Sequence, residues 1–301
     1  MNNNSIHIEQ VSKSYGQVQA LDNISLDVLP GELFGLIGPD GAGKTTLFRI
    51  LTTLLIADKG TATVCGHDVV SDYKQIRLLA GYMPGRFSLY QDLSVEENLT
   101  FFATVFNTSI KENYDLIRDI YVQIEPFKDR RAGALSGGMK QKLALCCALI
   151  HKPSVLFLDE PTTGVDPVSR KEFWDMLDRL KEQGITILVS TPYMDEANRC
   201  DRIALMKGGQ CLSIDTPQGI RDSMGIHPWS IRSTSMFHLL LDLREYPCTQ
   251  SCYAFGDAHH LLLKEGAEKT HLLDYLHKKG YADIEMELIE PTIEDCFMQF
   301  G

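Results

Sequence analysis

Apolar runs rich in branched residues alternate with helical patterns from the amino terminus to about residue 215, a pattern that predicts a mixed sheet with helices packed on it. Continuous apolar runs at 33–37, 155–158 and 185–189 read as strands buried on both faces. The first ends in a glycine-rich segment and a helix from residue 44 to about 55, the second in Asp159-Glu160, and the third in Ser190-Thr191. Polar residues thus cluster at the carboxyl ends of strands, where open α/β sheets bind ligands.

Between the first two strands lies a helix-rich stretch, about 70–148, opened in part by the capping-box pattern Ser94-Val-Glu-Glu97. It is expected to form a separate helical lobe. Past residue 215 the pattern changes to strand 228–233, helix 235–245, strand 250–256, strand 259–264, helix 268–279 and strand 283–289. This β-α-β-β-α-β order predicts a small ferredoxin-like α+β appendage, dividing the chain into 1–220 and 221–301. No internal repeat or low-complexity tract interrupts either part.

Composition narrows the class. With 301 residues, two domains are expected, and 44% hydrophobic with 23% charged residues is globular. A formal charge of −11 without a basic cluster argues against a nucleic-acid partner. The terminus Met-Asn-Asn-Asn-Ser-Ile-His lacks a secretory layout and no run approaches a membrane span, so a chain that is not exported is expected. The eight cysteines form no paired zinc pattern and read as reduced, mostly apolar thiols. His259-His260 is no metal pair, because neighbours on a strand face opposite ways.

The chemistry begins at Gly38-Pro-Asp-Gly-Ala-Gly-Lys-Thr45, which fits the phosphate-binding loop G-x-x-x-x-G-K-[ST] with a strand before it and a helix after it. Backbone N–H groups from Gly38, Pro39's neighbours Asp40 and Gly41, Ala42, Gly43, Lys44, Thr45 and Thr46 would surround ATP phosphates, with Lys44 at the β- and γ-phosphates and Thr45 on Mg²⁺. Across from them Asp159 suits Mg²⁺, and Glu160 suits the attacking water.

About twenty residues earlier stands Leu135-Ser-Gly-Gly-Met139, and with it the chain resembles the ABC transporter ATPase family. The resemblance implies a P-loop NTPase core of ABC ATPase type. It also implies adenine stacking on Tyr15, for which an ordinary core tyrosine is the alternative, and a D-loop at Thr163-Gly-Val-Asp166 that crosses a dimer interface. Two such domains would sandwich ATP head to tail, so that Ser136, Gly137 and Gly138 cap nucleotide on the partner. Membrane-spanning permease subunits would then be driven from the cytoplasmic face of the membrane. Thr191-x-Tyr-Met-Asp-Glu-Ala and Glu290-Pro-Thr-Ile-Glu-Asp-Cys-Phe297 look like drug, lipid or polysaccharide exporters. Segment 86–94 would receive a coupling helix, or else Phe87 and Tyr90 pack locally. A soluble ATPase acting on ribosome or DNA is the rival function class.

Two departures stand out. The family's glutamine is replaced by Gly85 in Tyr82-Met-Pro-Gly85, and its switch histidine by Pro192 in Ser190-Thr-Pro-Tyr193. Neither replacement has a polar side chain. The expectation is a site that binds ATP but hydrolyses it poorly, in a pair with an unlike, competent ATPase. The alternative is a homodimer in which water, Arg86 or Glu160 compensates. For the appendage, dimer stabilisation, regulation and docking all remain open.

Overall fold

A strand buried at all five positions belongs inside a sheet, and β3 (Leu33–Ile37) lies between parallel neighbours there. The computed structural model describes residues 4–300. Packing divides the chain into Met1–Pro217 and Gln218–Gly301.

In the first unit β1 (Ile6–Tyr15) and β2 (Val18–Val28) form an antiparallel hairpin ahead of β3. After β3 come α1 (Lys44–Leu51), β4 (Lys59–Val64), β5 (His67–Asp68), α2 (Tyr73–Leu79) and β6 (Ala80–Met83). Then follow α3 (Val95–Val105), α4 (Tyr114–Tyr121), α5 (Gly137–Leu149), β7 (Val155–Asp159), α6 (Pro167–Glu182), β8 (Thr186–Thr191), β9 (Arg202–Lys207) and β10 (Gln210–Asp215). One sheet has the order β10-β9-β3-β8-β7-β6, parallel except at β10, and a second has β2-β1-β4-β5. Helix α1 lies in the core between the sheets, with Phe48 edge-on to Phe157 at 6.0 Å.

Three details differ from the sequence expectation. The stretch 70–148 is not wholly helical: β6 pairs with β7 in the large sheet, so the lobe proper is α3 to α5. Helix α1 stops at Leu51, four residues early. Thr52 turns its hydroxyl onto Phe48 O at 2.8 Å, and Thr53 has φ +63, although Leu54 and Leu55 prolong the apolar pattern. Helix α5 begins five residues earlier than its apolar pattern, at Gly137, because Ser136 caps it by accepting from Met139 N. At α3 the expected capping box forms, with Ser94 and Glu97 bonded reciprocally.

In the second unit α7 (Pro217–Ser223) precedes β11 (Trp229–Arg232), α8 (Met236–Glu245), β12 (Thr249–Phe255), β13 (Ala258–Leu263), α9 (Lys269–Lys278), β14 (Glu285–Leu288) and α10 (Ile293–Phe300). The antiparallel order β12-β13-β11-β14 is that of a ferredoxin-like sheet. Ile231, Leu261, Leu239 and Leu272 share its core. Among the described residues no helix is long and apolar enough to cross a membrane, and no group of metal-ligating side chains forms.

Candidate functional site

The turn from β3 into α1 is shaped by glycine. Gly43 has φ +100, and a Cβ there would stand 2.4 Å from Ala20 O, so the loop closes against β2 only without a side chain. The resulting cleft, about 440 Å³, is lined by Tyr15, Val18, Asp40, Gly41, Lys44, Thr45, Thr46 and Glu160, among others. Ala42 and Gly43 line it too, while Gly38 and Pro39 contribute their carbonyls to Lys44 Nζ at 2.7 and 3.1 Å. The Lys44 side chain is buried and also lies 3.1 Å from Glu160 Oε1.

The two acids end β7, one strand away from β3. Thr45 Oγ1 donates to Asp159 Oδ1 at 3.2 Å, so the helix hydroxyl and the strand carboxylate converge on one point. Such a pair fits Mg²⁺, which takes one or two protein oxygens and completes its shell with phosphate and water. Ser190 Oγ donates to the same Asp159 oxygen at 2.7 Å and accepts from Glu160 N at 3.0 Å. Glu160 is held at φ +50, an uncommon backbone region for a residue with a side chain. Burial and the charge of Asp159 push the nearby Tyr82 hydroxyl up to about 12.

The two substituted positions flank this centre. A Cβ on Gly85 would lie 3.0 Å from Asp159 O and 3.8 Å from Glu160 Cβ, so position 85 abuts the acids. Pro192 follows Thr191, whose carbonyl accepts from Gly38 N at 3.3 Å, which sets it beside the phosphate loop. Ser136, Gly137 and Gly138 do not line the cleft; they start α5, where Gly138 packs so close to Ser169 that a Cβ would meet its Oγ at 2.7 Å.

Sequence reasoning missed Val18 and Ser190 as site residues. Val18 sits opposite Tyr15 across the tight β1–β2 turn, so an aromatic at a hairpin end signals its cross-strand neighbour. Ser190 shows only in register, since β8 lies beside β7 with Ser190 paired to Asp159.

A phosphate loop between strand and helix, facing an acid pair on β7 with one strand intervening, defines a P-loop NTPase with a helical lobe. The particular family follows from comparison: the chain belongs to the ATP-binding proteins of ABC transporters. The ABC transporter family model matches residues 21–163. The chain is 38% identical over 299 residues to the Nod factor export ATP-binding protein I of a Rhizobium species, covering 98% of this chain and 96% of that one. It is 39% identical over 273 residues to the probable multidrug ABC transporter ATP-binding protein YbhF of Escherichia coli, covering 89% of this chain but only 46% of YbhF. The chain therefore spans about half the length of that relative. Among solved structures, an ATP-binding subunit of an ABC transporter superposes with TM-score 0.67 at 26% identity, over 73% of this chain and 93% of that one. The cbiO1 subunit of Clostridium perfringens gives 0.66 at 25%, over 74% and 92%.

Proposed function

We propose that this chain binds Mg-ATP on the cytoplasmic face of the cell membrane and drives export through separate membrane-spanning permease subunits. The export direction is supported by the names of the Nod factor and multidrug relatives. The permease contact is supported by an apolar groove of about 510 Å³ between sheet and lobe, whose walls include Met83, Pro84, Phe87, Phe102 and Phe106. Its lining residues Pro84 and Arg86 flank Gly85, so a helix seated there would act directly on the strand end that abuts the acids.

Each residue then has a task. Lys44 exchanges Glu160 for phosphate oxygens, while loop amides and the α1 N-terminus accept the negative charge. Mg²⁺ would supply positive charge to offset that of the nucleotide phosphates. Thr45 and Asp159 would hold it, with Ser190 fixing the Asp159 carboxylate. Glu160 polarises the attacking water, and Tyr15 with Val18 receives the base. Ser136, Gly137 and Gly138 present the α5 N-terminus to nucleotide on the paired subunit.

The observation that carries the finer reading is the pairing of a complete binding cleft with Gly85 and Pro192. Removing one transition-state contact costs about 10²- to 10³-fold in rate, and contacts that act together are not additive. This chain is thus a binding-competent, slowly hydrolysing half that joins an unlike ATPase and completes that partner's site with its own signature. The test is ATP turnover and nucleotide binding by the isolated chain, beside Gly85→Gln/Pro192→His. Binding with feeble turnover, raised at least about tenfold by the double variant, supports the reading. Turnover of several per second by the unaltered chain sinks it. Because a Cβ at 85 must gain a few tenths of an ångström from Asp159 O, Gly85→Ala separates that adjustment from the effect of the amide.

A further inference from the structure

Glu196 follows β8 in a 3₁₀ turn, is 4% exposed, and does not line the nucleotide cleft. Its carboxylate is nevertheless fully engaged. Oε1 accepts from Thr162 Oγ1 at 2.9 Å, Oε2 accepts from Thr191 Oγ1, and Arg170 Nε stands 3.6 Å from Oε1. A buried carboxylate persists only with such donors, so it fixes them as firmly as they satisfy it.

The two hydroxyls come from segments with different duties. Thr191 ends β8, one residue past the Ser190 that donates to Asp159. Thr162 lies two residues past Glu160 and immediately before the 163–166 loop. Thr191 also accepts from Tyr193 N at 3.1 Å, and Arg170 sits 4.8 Å over the Tyr193 ring, so both sides of Pro192 are tied into the same cluster.

We infer that Glu196 is a positioning residue that clamps the 162–166 loop to the end of β8, so that the loop is held in one place relative to the partner ATPase. The inference rests on the reading that this loop meets a partner ATPase. Under it, losing the clamp slackens the loop presented to the partner's competent site, where most of the complex's turnover occurs.

The test uses the membrane complex purified through a tag on this chain, with ATP turnover followed for Thr162→Val, Thr162→Ser, Glu196→Gln and the double variant Thr162→Val/Glu196→Gln. Binding of fluorescent mant-ATP to the isolated chain is measured in parallel. Thr162→Val and Glu196→Gln should each lower kcat about tenfold or more, with KM and mant-ATP affinity held within about twofold. Thr162→Ser, which keeps the hydroxyl, should retain turnover, and the double variant should fall no lower than the worse single one. Asn113→Ala, which removes a buried bond to Ile150 O in the helical lobe, serves as the control for general destabilisation. Unchanged kcat in Thr162→Val, an equal loss in Asn113→Ala, or additive losses in the double variant would overturn the inference. If Glu196→Gln yields little folded protein, the Val and Ser variants at 162 decide alone. Failure of the underlying reading shows differently: the unaltered chain would bind no mant-ATP, or no second ATPase would copurify.

Discussion

Lys44 Nζ and Glu160 Oε1 stand 3.1 Å apart, so the ammonium proposed for phosphate is paired with the carboxylate proposed for water. The cleft meets its nucleotide with these two charges already spent on each other, and one contact must be exchanged for the other.

The exchange predicts opposite effects of two substitutions. Glu160→Gln releases the ammonium and should tighten ATP binding about three- to tenfold while turnover drops. Lys44→Ala should weaken binding more than about tenfold, since a charge-assisted bond is worth about 1.5–3 kcal/mol. Calorimetric titration of each variant decides. Equal affinity in Glu160→Gln and the unaltered chain would mean that the pair does not compete with phosphate.

Ser190 should matter to metal more than to nucleotide. It orients Asp159 from outside the expected coordination shell, and loss of such a support costs about 10- to 100-fold in metal affinity. Ser190→Ala is expected to raise the Mg²⁺ concentration needed for half-maximal turnover by about that factor, with nucleotide affinity in chelator unchanged.

In the carboxyl-terminal unit, His260 Nδ1 donates to Asp295 Oδ1 at 2.9 Å, and Thr292 donates to Oδ2 through its amide and its hydroxyl. Burial pushes the Asp295 carboxyl up, but the His260 bond and the Thr292 bonds outweigh it and hold the group below the ordinary value. A lowered folded-state pKa gives stability that is present above the unfolded value, about 3.9, and lost as pH falls through the folded one. Unit stability should therefore hold from neutral pH to about 4 and decline below it. Asp295→Ala, which orphans these donors, should cost about 1–3 kcal/mol in denaturant unfolding and remove the acid-side loss.

Alkylation separates the thiols by burial. Cys146, Cys147 and Cys200 are buried, and burial pushes each thiol up, so iodoacetamide should leave them unlabelled in the native chain. Of the partly exposed thiols, Cys211 is pushed up to about 11 and Cys65 is also raised by burial. Mass spectrometry should find the label confined to the partly exposed Cys65, Cys211 and Cys248.

The legible parts of this chain were those whose signal is local. The phosphate loop carries its own glycines, and β3, β7 and β8 are apolar runs that need no periodicity to be seen. All six elements between β11 and β14 stand out because strong turn residues separate them. Four-residue β6 escaped because Ala80-Gly81-Tyr82-Met83 is short and runs on directly from α2, and only pairing with β7 makes it a strand. Ser190 and Glu196 escaped for a different reason: their partners lie 31 residues away in Asp159 and 34 in Thr162. The sequence shows both residues but not the folded distance.

The hairpin that forms one wall of the cleft carries a consequence for which nucleotide is accepted. At the base end the wall offers the ring of Tyr15 and the methyl groups of Val18. The amide of Gln19 is already committed, its nitrogen donating to Leu21 O at 2.7 Å and its oxygen accepting from Ser14 Oγ at 2.9 Å. Discrimination between purines requires groups that bond the base edge, whereas a stacking face accepts any planar ring. Under the proposed reading this wall stacks on the base rather than reading its edge, and GTP should be bound nearly as well as ATP.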